Sequence, residues 1–335
     1  MFYSDAKRRL PLIVAAYNGC KDVVELLIAN GANVHSADDK GHTPLHIASM
    51  RGHIGVVESL IANGAKIDAE AEDGCTPLYM AASFEHRDIA QLFLKYGAVT
   101  EPDIAVMLGE MESVKHNLEQ GVDVNSKLAK GLRRGDSWLI TAIGSKHKNH
   151  ELVELLLNYG ARINERTGGT IKFSPLHQAS IRGSREICEL LIANGAHVNV
   201  EDKFGNTPLY RAASIGHRHI VELLLNSGTN LNGLNLEKRN ALFEAARLHH
   251  SQVVASLLAH GIEVNLTDER GFTPLLCAFQ KIGGDEIIRA LVASGANVNV
   301  RTHEGHSPLL IAVAQGSKDM VELLLAHGAR EGLDA

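Results

Sequence analysis

Apolar residues return along this chain in short helical bursts, each closed by a glycine. Between Ile54 and Asn63, Val56, Val57, Leu60 and Ile61 stand at the spacing that places them on one face of a helix. Gly64 follows at the point where a residue just past a helix end can turn left-handed. A shorter helix is predicted before it. Thr43 can cap that helix, Pro44 can open it without losing a helical hydrogen bond, and it ends near Gly52. The stretch from Ala65 to Gly74 then reads as a loop. One such thin pair cannot bury its own apolar face, so its core has to come from stacked neighbours.

The pattern recurs at a fixed period. Pro11, Pro44 and Pro77 are 33 residues apart, as are Pro175 and Pro208. Ala241 takes the proline's place in the next copy, and Pro274 and Pro308 follow at intervals of 33 and 34. Gly31, Gly64, Gly97, Gly195, Gly228, Gly261, Gly295 and Gly328 keep step with them. The strings GHTPLHIASMRGHIGVVESLIANGAKID, FSPLHQASIRGSREICELLIANGAHVN and GNTPLYRAASIGHRHIVELLLNSGTNLN resemble ankyrin repeats almost throughout, and a 33-residue helix-turn-helix period is that family's signature. The resemblance implies an all-α ankyrin-repeat solenoid of about ten repeats joined by hairpin-like loops.

Two copies depart from the period. Gly97 to Gly121 spans 24 residues and lacks a TPLH-type start, so DIAVMLGEMESVKHNLEQGVDVN is expected to make a clipped helix pair. Gly121 to Gly160 spans 39, with four extra residues in Ser126–Ser137, two near Lys146–Asn149, and Trp138 where a proline is expected. The expected organisation is one continuous array: regular repeats 1–3 in residues 1–100, irregular repeats 4 and 5 in 101–164, and repeats 6–10 in 165–335. The irregular joint is expected to alter the curvature of the array or to bend. Leu10–Ile13 at one end and Met320–Leu325 at the other lack the polar face of a capping repeat. That leaves three readings open: a piece of a longer protein, association end to end, or a chain that tolerates weak ends.

Composition narrows the function. The net charge of −6 argues against a dedicated nucleic-acid binder. No apolar run of membrane-spanning length occurs. Cys20, Cys75, Cys188 and Cys277 form no CxxC pair, which fits a reducing, cytoplasmic compartment, or a host cytoplasm if the protein is a secreted effector. Motifs for metalloprotease, P-loop, dinucleotide-binding and serine-hydrolase chemistry are missing from the sequence, so no catalytic residue, metal or cofactor is expected. Most of the 18 histidines fall at repeat positions. By resemblance, His46 and His177 hydrogen-bond between repeats, and His53, His86 and His217 belong to the family's GH pair. The spacings in His217/His219 and His249/His250 do not set two ligands one helical turn apart. Arg134-Gly135-Asp136 is a chance string, and the basic cluster Lys127, Lys130, Arg133 and Arg134 reads as a solvated loop. The recurring Val-Asn pairs, such as Val264-Asn265, suit asparagine's bonding to local backbone.

The resemblance places binding on a concave surface of loop tips and inner helices. Carried over by position, the candidate partner-binding residues are Tyr17, Lys40, His42, Met50, Arg51, Phe84, Phe173, Ile181, Arg182, Lys203, Phe204, Ile215, Arg239, Arg247, Leu248, Arg270, Phe272 and His306. These positions vary between repeats while the framework stays fixed. Met50, Phe84, Ile181, Phe204, Ile215, Leu248 and Phe272 are expected to be exposed apolar groups, and Phe173, Ile181, Arg182, Phe204 and Ile215 to form the hot spot. The expected function is a non-catalytic protein–protein interaction scaffold, monomeric unless its ends associate. The alternative is a targeting or regulatory arm of a larger enzyme, or a host-directed effector.

Overall fold

Pro44 opens a helix whose N-cap Thr43 and third residue His46 bond to each other's backbone, and Gly52 closes it in the left-handed region at φ 79°. An outer helix, Ile54–Ala62, follows at once and buries Val56, Val57 and Leu60. Each such aliphatic group contributes about 1.5–3 kcal/mol on burial. This pair is the unit of the whole chain. The computed structural model describes residues 10–131, 134–145, 150–281 and 283–330. Among these it contains twenty helices and no strand, with one isolated bridge between Lys127 and Ser137.

The helices divide between two compact units, Met1–Arg162 and Ile163–Ala335. Five helix pairs lie in each. In the first unit the inner helices are Pro11–Asn18, Pro44–Arg51, Pro77–Ser83, Pro102–Leu108 and Trp138–Gly144. In the second they are Pro175–Arg182, Pro208–Ile215, Ala241–Arg247, Pro274–Ala278 and Pro308–Ala314. Within each unit an inner helix packs on its own outer helix, and through repeats 1–5 and 6–9 it also packs on the inner helix of the next repeat. The core is mostly aliphatic, with Leu45, Leu60, Leu78, Ile89, Leu191, Leu224 and Leu257 fully enclosed, and Phe93, Trp138, Phe243 and Phe279 are buried as well.

Three sets of polar bonds fix the stacking step. His46 and His177 each accept a backbone N–H at Nδ1, from Thr43 and Ser174. That leaves the proton on Nε2, which donates to the next repeat at Cys75 O (3.0 Å) and Asn206 O (2.9 Å). His53, His86 and His217 reach back one repeat to the carbonyls of Tyr17, Met50 and Ile181. Glycine makes this possible: a Cβ on Gly52 would stand 2.5 Å from the His86 ring. The asparagines do more than bond local backbone. Asn125, Asn164, Asn199, Asn232, Asn265 and Asn299 each accept a backbone N–H of the following repeat through Oδ1, at 2.7–3.0 Å.

The irregular repeats fold differently from the expectation. Repeat 4 is not a clipped pair. Pro102 opens its inner helix, which is one residue shorter than that of repeat 2, and its outer helix, Met111–Glu119, has the usual nine residues. The shortening falls in the linker: five positions separate Gly97 from Pro102, against thirteen between Gly31 and Pro44. The long loop of repeat 5 covers the gap. Its backbone pairs through Leu128 N to Asp136 O and Gly135 N to Leu128 O, and Leu128 is buried. Lys130 makes an ion pair with Glu101 of the short linker at 2.6 Å, and its carbonyl accepts the hydroxyl of Tyr79 in repeat 3 at 3.0 Å. Lys130 is therefore tied into the fold rather than solvated. Arg133 and the extra residues near Lys146–Asn149 lie outside the described residues.

Candidate protein-binding face

In the first unit the tip of repeat 2 is set by Asp38, whose carboxylate accepts the N–H groups of Lys40 and His42 and the His42 ring at 3.2 Å. Lys40 O then accepts Glu72 N of the next tip at 2.9 Å. On the inner helices Arg51 lies over the Tyr17 ring, 4.4 Å from its centroid, which brings two predicted residues together as a cation–π pair. Met50 and Phe84 are half-buried rather than exposed.

In the second unit the same positions carry a denser arrangement. Asp202, buried at the base of the repeat 7 tip, accepts the N–H groups of Phe204 and Asn206 and the Nε of Arg211 at 2.9 Å. Arg211 lies in turn over the Phe173 ring at 5.1 Å, which leaves Phe173 half-buried. Phe204 and Ile215 are each 49% exposed. Ile181, Leu248 and Phe272 are half-buried, against expectation, while Arg182, Lys203, Arg270 and His306 are exposed.

Two predicted arginines are already engaged. Arg239 donates to Asp268 of the next repeat through Nε at 2.9 Å and Nη2 at 2.6 Å, and also meets Glu237 at 3.1 Å. Burial alone would raise the Asp268 carboxyl; the bonds from Arg239, Phe272 N and Arg270 N carry it below its ordinary value. Arg247 donates to the buried Glu244 at 3.0 Å, and that bond holds its own pKa up. Arg239 in particular braces the tips rather than presenting a free cation.

The sequence reading missed two exposed apolar groups at the repeat 8 tip, Leu234 (43%) and Leu236 (68%). Leu236 N bonds Phe204 O at 3.0 Å, and Lys203 N bonds Ile171 O at 2.9 Å, so the tips of repeats 6–8 lie side by side. The alternation of apolar and polar residues in Leu234-Asn235-Leu236-Glu237 was the available signal. Among the described residues no group of three His, Cys, Asp or Glu side chains is placed to hold a metal, and no helix is long and apolar enough to cross a membrane.

Comparison with known proteins bears on this framework directly. The family model for ankyrin repeats (3 copies) matches residues 12–104, 103–202, 176–268 and 263–334. The chain belongs to the ankyrin repeat family. Ankyrin repeats generally mediate protein–protein contacts and are typically non-catalytic. The chain is also similar to an ankyrin repeat protein of fowlpox virus (strain NVSL), 33% identical over 104 residues. That match covers 31% of this chain and 29% of the viral protein's length.

Proposed function

We infer that this ankyrin array is a non-catalytic scaffold that holds a protein partner against its tips and inner helices. The observation that carries the reading is the pair of half-exposed apolar side chains, Phe204 and Ile215, on adjacent surfaces of one rigid repeat. Their neighbours Ile181 and Arg182 complete a patch of the composition that partners use as anchors. The mechanism is preorganisation. A surface whose stacking step is fixed by histidine and asparagine bonds loses little conformational freedom on binding, so modest contacts add up.

The test is affinity capture with the intact chain and with an Ile181→Asp/Ile215→Asp variant of equal thermal stability. Recovery of the same partners by both would sink this placement of the site. A second reading, in which the array is the targeting arm of a longer or host-directed protein, is favoured by its similarity to the viral ankyrin protein. Partners drawn from a host cell lysate, and none from the source organism, would support that version.

A further inference from the structure

Six tips carry glycine at their left-handed position: Gly41, Gly74, Gly135, Gly205, Gly271 and Gly305. Repeats 6 and 8 instead hold Lys172 and Lys238 there, at φ 63° and 61°. A residue with a Cβ is strained in that conformation where glycine is not. Lys203 stands on the tip between them. All three lysines are exposed, and among the described residues none of their ammonium groups has an ion-pair partner.

Apolar groups accompany the lysines. Ile171 adjoins Lys172, Phe204 adjoins Lys203, and Leu236 lies two residues before Lys238. Backbone bonds between neighbouring tips set Ile171, Phe204 and Leu236 in a row across repeats 6–8. Most carboxylates of this face are turned inward or engaged. Asp202 lies under Arg211, Asp268 under Arg239 and Glu244 under Arg247, while Glu237 meets Arg239. Glu201 and, on the next tip, Glu269 are exposed, but the three lysines outnumber them. In a chain of net charge −6 this is a local surplus of positive charge around an apolar strip.

We propose that the tips of repeats 6–8 bind an acidic protein segment that seats aliphatic or aromatic anchors on Ile171, Phe204 and Leu236 and pairs its carboxylates with Lys172, Lys203 and Lys238. The proposal rests on the protein-binding reading above and names the partner's chemistry. A single-stranded nucleic acid is also anionic, but it binds by stacking bases on aromatic rings, and Phe204 is the one aromatic group in the strip.

The experiment selects random peptides, displayed on phage, against the full chain. Selected peptides are expected to be rich in Asp and Glu interspersed with Leu, Ile or Phe. A synthetic copy should lose affinity about tenfold or more on Leu236→Asp, as the loss of a central anchor does. It should also bind more weakly as salt is raised. The decisive variant is Lys172→Gly/Lys238→Gly, which removes two charges and relieves two strained positions. It is expected to unfold no more easily than the parent yet to bind the acidic peptide several-fold more weakly. Selected peptides without acidic bias, binding unchanged in the double-glycine variant, or tighter binding of an oligothymidylate than of any peptide would each overturn the proposal. Acidic peptides lost from Ile181→Asp/Ile215→Asp but unaffected at the tips would refute this site while leaving the scaffold reading intact.

Discussion

Trp138 donates its indole N–H to the carboxylate of Asp103 at 2.8 Å, joining the first helical residue of repeat 5 to the second of repeat 4. Burial pushes the Asp103 carboxyl above its ordinary value, and the indole bond opposes that rise. An acid whose folded pKa is raised favours the folded state at low pH, and that contribution is lost as pH rises through the folded value. Trp138→Phe removes the donor and widens the gap. The variant should lose about 1–3 kcal/mol from the unpaired group alone. The loss should be larger at pH 7 than near pH 4, and adding Asp103→Asn should recover part of it. Urea unfolding at the two pH values checks this.

The repeat 5 loop is expected to behave as packed structure. Leu128→Ala should destabilise the first unit by about 2–5 kcal/mol, as the emptying of a buried leucine site does. The amides of Leu128 and Gly135 should exchange with solvent as slowly as helix amides of the same unit. Exchange within seconds would show that the loop does not stay seated on Tyr79 and Glu101.

Acid should weaken the array through His46 and His177. Burial holds both imidazoles neutral, with the pKa lowered from 6.5 to about 4. Between those values the unfolded chain binds more protons than the folded one. Stability is therefore full above pH 6.5 and is lost as pH falls toward 4, by on the order of a few kcal/mol for each histidine. The urea midpoint should drop across this window, and the drop should be smaller in a His46→Gln/His177→Gln variant.

Thiol chemistry should single out one cysteine. Cys20 is exposed, whereas Cys75, Cys188 and Cys277 are buried, and burial pushes their thiols up to about 12. A thiolate-seeking reagent at neutral pH should modify Cys20 rapidly in the native protein and all four cysteines in denaturant. Fast labelling of Cys75 would indicate local opening at the repeat 3 tip.

Much of the fold was legible because each repeat states its own punctuation. Thr43-Pro44 and Gly52 mark one helix, Val56 to Leu60 the next, and recurrence turns a weak local signal into a strong one. Repeat 4 was harder to read. Pro102 opens its inner helix, but the deletion shifts it out of phase with the other prolines, so periodicity hid it. The contact of Lys130 with Glu101 and Tyr79 could not be read at all, since it joins residues 29 and 51 positions apart through a loop with no counterpart in other repeats. Which candidate residues lie on tips and inner helices was legible by position, but their exposure was not. Met50, Phe84 and Leu248 prove half-buried, and Arg239 looked free because Asp268, which holds it, lies one repeat further on.

The short linker of repeat 4 has a consequence for how such a chain can change over time. The structural step along the stack is the helix pair, and its linker can lose eight residues while the helices on either side still pack. Insertions and deletions in the tips are therefore nearly neutral for architecture, while substitutions at the histidine and asparagine bonds are not. A lineage carrying this scaffold can reshape its tips by editing loop length, one repeat at a time, without rebuilding the protein beneath.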